Sequence, residues 1–165
     1  MKKFLCVFAF AGYIVYNAPD FDIRNLYTKE STVLMYNDNT EFARLGEENR
    51  ELAEYDELPE VLIDAIIATE DARFFQHDGF DIKRFAKASF GHLEGNNGAG
   101  GASTITMQLS KNFFTSNETS GIQGIIRKFT DIYMSIFKIE KQYSKEQILE
   151  YYVNAQFLGS SSYGV

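Results

Sequence analysis

Cysteine, tryptophan and proline are almost missing: the 165 residues hold one Cys, no Trp and two Pro. A lone Cys6 cannot close an internal disulfide, so a disulfide scaffold is excluded, and its place in an apolar run says little about redox compartment. Proline and glycine are too sparse for a collagen-like or low-complexity chain. The two histidines, His77 and His92, have no close metal-ligand spacing, which argues against a zinc site. An excess of basic charge is missing too. The formal net charge is −7, and general nucleic-acid binding needs a basic face.

What remains is an ordinary globular composition, 45 % apolar and 24 % charged, of a length that suits one core with an appendage. The negative charge is local. Between Asp38 and Glu60 nine acids face only Arg44 and Arg50, a solvated acidic stretch, while the chain from Gly79 onward is slightly basic. At the N-terminus Lys2 and Lys3 precede an apolar run from Phe4 to Tyr16. As a helix this run is roughly 20 Å long, short of the ~20 residues of a full span. No small-x-small cleavage site follows, so residues 1–18 read as an uncleaved signal anchor with the rest of the chain outside.

Residues 19–50 read as a polar linker followed by two short strands around Tyr36–Thr40, and residues 51–165 as a helical domain. Pro59 suits a first helical turn, with Val61, Leu62, Ala65, Ile66 and Ala68 following at helical spacing. A glycine-bearing loop from Gly95 to Gly101 leads to a helix capped by Ser103 or Thr104 and running to about Phe113. Ile122, Ile125, Ile126, Phe129, Ile132, Tyr133, Ile136 and Phe137 form the stripe of a long amphipathic helix. Ser144 and Gln147 make a capping box ahead of a last helix. The expected architecture is mainly helical with one small hairpin.

Glu70 is the first chemical anomaly. Ile67, Ile66 and Ile63 stand three, four and seven positions before it, which puts it on the apolar side of its helix. A carboxylate against isoleucines loses solvation, which suits it to take up a proton. Its neighbour Asp71 points about 100° away and can pair with Arg73 or orient the backbone. His77 reads either as a base or as a turn-capping residue. The run from Gly95 to Lys111 joins glycines, a capped helix start and a lysine two turns on, an arrangement open to an anion but not a P-loop. On the long helix Arg127, Lys128 and Asp131 occupy the polar side, with Arg127 and Asp131 spaced as a surface pair.

Taken in order, these segments resemble glycosyltransferase family 51, the peptidoglycan glycosyltransferases. The resemblance rests on Glu70-Asp71-Ala72-Arg73-Phe74-Phe75-Gln76-His77-Asp78-Gly79-Phe80 and on Gly101-Ala102-Ser103-Thr104-Ile105-Thr106-Met107-Gln108-Leu109-Ser110-Lys111-Asn112. Arg127-Lys128 and the run Lys145-Glu146-Gln147-Ile148-Leu149-Glu150-Tyr151-Tyr152-Val153-Asn154 follow, and Gly159 with Tyr163-Gly164-Val165 starts a fifth motif. It implies a lysozyme-like helical domain on the outer face of the cytoplasmic membrane. That domain would polymerise lipid-linked disaccharide-peptide (lipid II) into β-1,4 glycan strands, with inversion and release of polyprenyl diphosphate.

By the same resemblance Glu70 is the base and Asp131 a second catalytic carboxylate. Asp71, His77, Ser103 and Thr104 bind substrate with Gln108; Lys111, Arg127 and Lys128 face the donor diphosphate, and Asn154 helps hold the site. No cofactor is required, though a divalent cation, Mg or Mn, can assist. The implied partners are lipid II, the nascent glycan strand, the membrane, the cell-wall synthesis machinery and a downstream transpeptidase domain. Three positions depart from the family pattern. Asp131 stands where the family has Glu, Gln123 where a basic residue is common, and the sequence ends at Val165 where relatives continue, so it reads as part of a longer protein. Two alternatives stay open: an inactive lipid-diphosphate or glycan binding module, and a lysozyme-like hydrolase. A hydrolase has no diphosphate to hold, and the cations weigh against it.

Overall fold

The computed structural model describes residues 2–23, 32–45, 49–50, 52–93, 101–114, 120–155, 157–159 and 162–163. The described chain is mainly helical. α1 spans Lys2–Asn17 and is followed by the hairpin β1, Thr32–Met35, and β2, Glu41–Leu45. Val33 pairs with Arg44 and Leu34 with Ala43, antiparallel, with an irregularity before Met35. The turn closes because Asp38 accepts from both the N–H (3.0 Å) and the hydroxyl (2.6 Å) of Thr40, while Asn39 takes a φ of 63°. Asn tolerates that left-handed conformation better than most residues.

The helical domain follows: α2, Glu60–Glu70, α3, Ile82–Leu93, α4, Ile105–Phe114, α5, Gly121–Met134, and α6, Lys145–Ala155. Its core lies where α4 crosses α6. Ile105 and Leu109 pack with Ile148, Leu149, Tyr152 and Val153, joined by Phe74 and Ile139, and Leu62, Ile63, Ile66 and Ile67 of α2 close one side. The expected capping box holds at α6: the Ser144 N–H donates to Gln147 Oε1 (3.0 Å) and the Gln147 N–H to Ser144 Oγ (3.3 Å). A second small sheet has β5, Ser162–Tyr163, at its centre, parallel to β3, Asn49–Arg50, and antiparallel to β4, Phe157–Gly159.

Three points differ from expectation. The polar linker is not wholly solvated, because Phe21 and Ile23 pack on the core, Phe21 against Tyr143 with ring centroids 5.3 Å apart; the rest of that linker, residues 24–30, lies outside the described residues. The loop at Gly95 to Gly101 also falls mostly outside them. α3 was not anticipated, although Asp81 ahead of Ile82 marks a helix start. The N-terminal run does form a helix, but no helix among the described residues is long and apolar enough to cross a membrane. α1 instead lays one side on α5, with Phe10 edge-on to Phe129 at 5.3 Å.

α5 does not stop cleanly. It runs into a π-turn, Ser135–Ile139, before a last helical turn, Glu140–Gln142. The backbone of Gly79 sits against this turn with a φ of 81°, and a Cβ there would lie 2.8 Å from the Ser135 carbonyl carbon. The Gly79 carbonyl also accepts from Thr104 Oγ1 at 2.7 Å. Glycine is required on both conformational and steric grounds. Gly79→Ala is expected to destabilise the chain by about 2 kcal/mol or more, measured as a fall in the denaturant midpoint.

Candidate functional site

Glu70 is the last residue of α2 and is half-buried. Its Oε2 accepts from Gln108 Nε2 at 2.8 Å, which ties the end of α2 to the middle of α4. The other end of the Gln108 amide meets Tyr152 of α6, whose hydroxyl lies 3.4 Å from Oε1. Burial, with the nearby Glu70 carboxylate adding to it, pushes the Tyr152 phenol up to about 12. It is a neutral donor at any working pH.

Asp71 next door is fully buried. It accepts from His77 Nε2 (3.0 Å) and from the Ile105 N–H (3.1 Å), the first amide of α4. An acid at a helix N-terminus satisfies an orphan amide and matches the local dipole. Arg84 of α3 stands 3.9 Å from the same carboxylate and donates to the Glu70 carbonyl, while its Nε donates to the Gly101 carbonyl at 2.7 Å. Of the two roles open to Asp71, that of holding backbone is the one seen; Arg73 pairs with Asp81, through Nε at 2.9 Å and Nη2. Asp81 also accepts the Arg84 N–H (2.8 Å). Burial of Asp81 works against its charge, but the Arg84 N–H, Arg73 and His77 outweigh it and hold its carboxyl below the usual range.

Asp71, His77 and Asp81 place ligand-type atoms within 4.8 Å of one another, which sequence spacing did not reveal. Arg73 and Arg84 already stand on these carboxylates, so the group is a charge-balanced lock on the turn after α2. A metal ion there would have to displace two guanidinium contacts.

The cations gather around Lys128 of α5. Lys128 Nζ donates to Ser103 Oγ at 2.6 Å. Burial lowers the Lys128 ammonium from its ordinary range; Asp131 opposes this, and Arg127 and Lys111 add repulsion. Lys128 therefore feels two further cations, Arg127 and Lys111. Ser103 and Thr104 divide the cap expected of either: Thr104 Oγ1 accepts the Met107 N–H at 3.1 Å, and Ser103 serves Lys128.

Asp131 is not the surface residue its spacing suggested. It is 2 % exposed, facing α4, with Ser110 Oγ 3.4 Å from Oδ1 and Arg127 Nη1 3.7 Å from Oδ2. Helical periodicity showed its position around α5 but not that α4 covers that side. Among the described residues the buried Nε of Arg127 has no hydrogen-bond partner. Asn154 stands apart from both groups. Its amide exchanges two bonds with Ala53, at 3.1 and 2.8 Å, pinning residues 52–54 to α6.

Sequence reasoning missed Arg84, Asp81, Glu140 and Lys145. Lys145 Nζ donates to the His77 carbonyl (2.7 Å) and to Glu140 (2.8 Å), and it lies 4.2 Å from the Phe74 ring centroid. Asp81 three residues before Arg84 was a readable cap signal; Glu140 and Lys145 stand only five residues apart, but the bonds that tie them to the rest of the fold, Thr106 to Glu140 and Lys145 to the His77 carbonyl, carry no local signal.

The result is a helical domain in which α4 bridges an amide-held acid at the end of α2 and the cations of α5, with its own Lys111 among them. Such an arrangement can take a proton from a hydroxyl near an anionic group. The model of the transglycosylase family matches residues 38–165. Penicillin-binding protein 1A of Vibrio cholerae is 39 % identical over 160 residues, 96 % of this chain and 19 % of that protein. Penicillin-binding protein 1A/1B of Bacillus subtilis is 37 % identical over 152 residues, 92 % of this chain and 16 % of that protein. Penicillin-binding protein 1A of Neisseria gonorrhoeae is 37 % identical over 166 residues, 96 % of this chain and 20 % of that protein. The chain spans about a fifth of the length of the curated relatives it matches. It belongs to the transglycosylase family.

An acid held low in the folded chain stabilises it above the ordinary carboxylate range, and that stabilisation is lost as pH falls through its folded value. Asp81→Asn should therefore cost about 2 kcal/mol at pH 7, less than a fully buried pair because Arg73 keeps some water contact. The deficit should shrink toward pH 3, as measured by urea unfolding across that range.

Proposed function

We propose that this domain is a peptidoglycan glycosyltransferase that joins lipid II units into β-1,4 glycan strands. The acceptor sugar hydroxyl attacks the anomeric carbon of the donor, the bond from that carbon to the diphosphate oxygen breaks, and configuration inverts. Glu70 takes the hydroxyl proton and polyprenyl diphosphate leaves. The observation that carries this reading is the pair of ties at α4: Gln108 of the helix holds Glu70 at 2.8 Å, and Ser103 just before it holds Lys128, among the cations, at 2.6 Å.

Lys111, Arg127 and Lys128 meet the leaving diphosphate. The crowding of Lys128 by Arg127 and Lys111 is tolerable when an anion joins them, and the unpartnered Arg127 Nε supplies a donor for it. Asp131 holds Arg127 in place rather than touching the reacting hydroxyl. Asp71, His77 and Thr104 act on substrate indirectly, by fixing the loop and helix that carry Glu70 and Ser103; Asn154 steadies residues 52–54. This chemistry needs no cofactor. A divalent cation would act by accompanying the diphosphate, and polymerisation with and without Mg²⁺ separates the two cases. The hydrolase reading is not favoured, since no diphosphate would meet the cations.

The lysozyme-like fold, the domain limits at residues 18 and 50, and a site on the outer face of the cytoplasmic membrane belong to the same reading. α1 supports the location. One side of it packs on α5, and Val7, Phe8, Val15 and Tyr16 stay exposed, an apolar surface suited to lipid. The partners are then the membrane, lipid II, the growing glycan strand, the cell-wall synthesis machinery and a transpeptidase domain of the kind that penicillin-binding relatives suggest. A chain found wholly in the soluble fraction without detergent would remove the anchor from this account.

The decisive experiment uses lipid II and the full-length protein that carries this chain. Glu70→Gln keeps the shape but removes the base, so polymerisation should fall at least ~10²-fold. Lys111→Met should weaken donor use by about one to two decades, as expected for a charge-assisted phosphate contact. Parental polymerisation by Glu70→Gln would overturn the mechanism.

A further inference from the structure

We infer that Tyr152 is a positioning residue that sets the orientation of the Gln108 amide and thereby aims the Glu70 carboxylate. The inference rests on the reading of Glu70 as the base. The geometry is a three-member relay across three helices: Tyr152 hydroxyl to Gln108 Oε1 at 3.4 Å, Gln108 Nε2 to Glu70 Oε2 at 2.8 Å. A primary amide has two ends, and only its NH₂ can donate to an ionised carboxylate. A phenol donates more strongly than it accepts, so the buried Tyr152 hydroxyl favours the amide turned with Oε1 toward it and its NH₂ toward Glu70. Once Glu70 is protonated, an unrestrained amide could turn and accept from it, stabilising the spent form. Tyr152 opposes that turn. It also leaves Glu70 Oε1, which has no hydrogen-bond partner among the described residues, as the oxygen that meets the acceptor hydroxyl. The 3.4 Å separation is long for a hydroxyl bond, and such contacts tighten when substrate binds.

Tyr152→Phe removes the hydroxyl and keeps the ring that packs in the core, so the thermal midpoint should stay at the parental value. With the full-length protein, kcat should fall about ten-fold, the scale of one oriented bond to a charged group, while KM for lipid II holds. In a Gln108→Ala background the same substitution should cost nothing more, because Tyr152 acts through Gln108; a merely structural tyrosine would lose the same factor in both backgrounds. The relay is also read without turnover. The side-chain amide resonance of Gln108 should move in Tyr152→Phe and in Glu70→Gln, while those of the exposed Gln123 and Gln142 stay still. Parental kcat in Tyr152→Phe, additive losses in the double variant, or an unmoved Gln108 amide would each overturn the inference. Glu70→Gln separates the levels: if it polymerises at the parental rate the mechanism fails, and if it is dead while Tyr152→Phe is parental only the relay fails.

Discussion

The buried carboxylate of Asp71 joins three things that would otherwise be independent: the turn after α2, the ring of His77 and the first amide of α4. Removing an anion from water is costly, and the cost is offset here by the Ile105 N–H, the imidazole and the Arg84 guanidinium 3.9 Å away. Because Asp71 directly follows Glu70, fixing one fixes the other. Arg84 reinforces this by holding the Glu70 carbonyl as well. The acid proposed for the chemistry is thus placed by a neighbour that never needs to meet substrate.

The same helix serves both halves of the site. α4 begins at the Asp71 carboxylate, carries Gln108 toward Glu70 and presents Ser110 to Asp131. Its own cap, Thr104, reaches back to the Gly79 carbonyl. The helix is therefore anchored at its start by the loop whose acid it serves, and through Gln108 and Ser110 it ties α2, which carries the acid, to α5, which carries Arg127 and Lys128.

The half-burial of Glu70 was readable because its surroundings are local: three isoleucines precede it on the same side of its helix. The capping box at Ser144 and the hairpin at Tyr36–Thr40 were readable for the same reason, and both formed. Asp131 was misread as a surface residue because periodicity describes one helix and not the helix that covers it. Of the two roles left open for Asp71, the backbone one formed, through the Ile105 N–H, whereas the fold gives Arg73 to Asp81, eight residues on. The relay through Tyr152, like the contact of Lys145 with the His77 carbonyl, spans dozens of residues and has no local pattern.

The π-turn at Ser135–Ile139 changes what a length change in this region would do. An i→i+5 turn brings residues five apart toward one side, and Met134 and Ile139 are both fully buried. Dropping one residue there would restore a regular helix but swing every later side chain by about 100°. The helix of Asp131 and the one carrying Tyr152 would then lose their common phase. Single-residue insertions and deletions are ordinarily absorbed by loops; here a helix is the least forgiving segment, and drift in chain length among sequences of this kind is expected to fall everywhere else first.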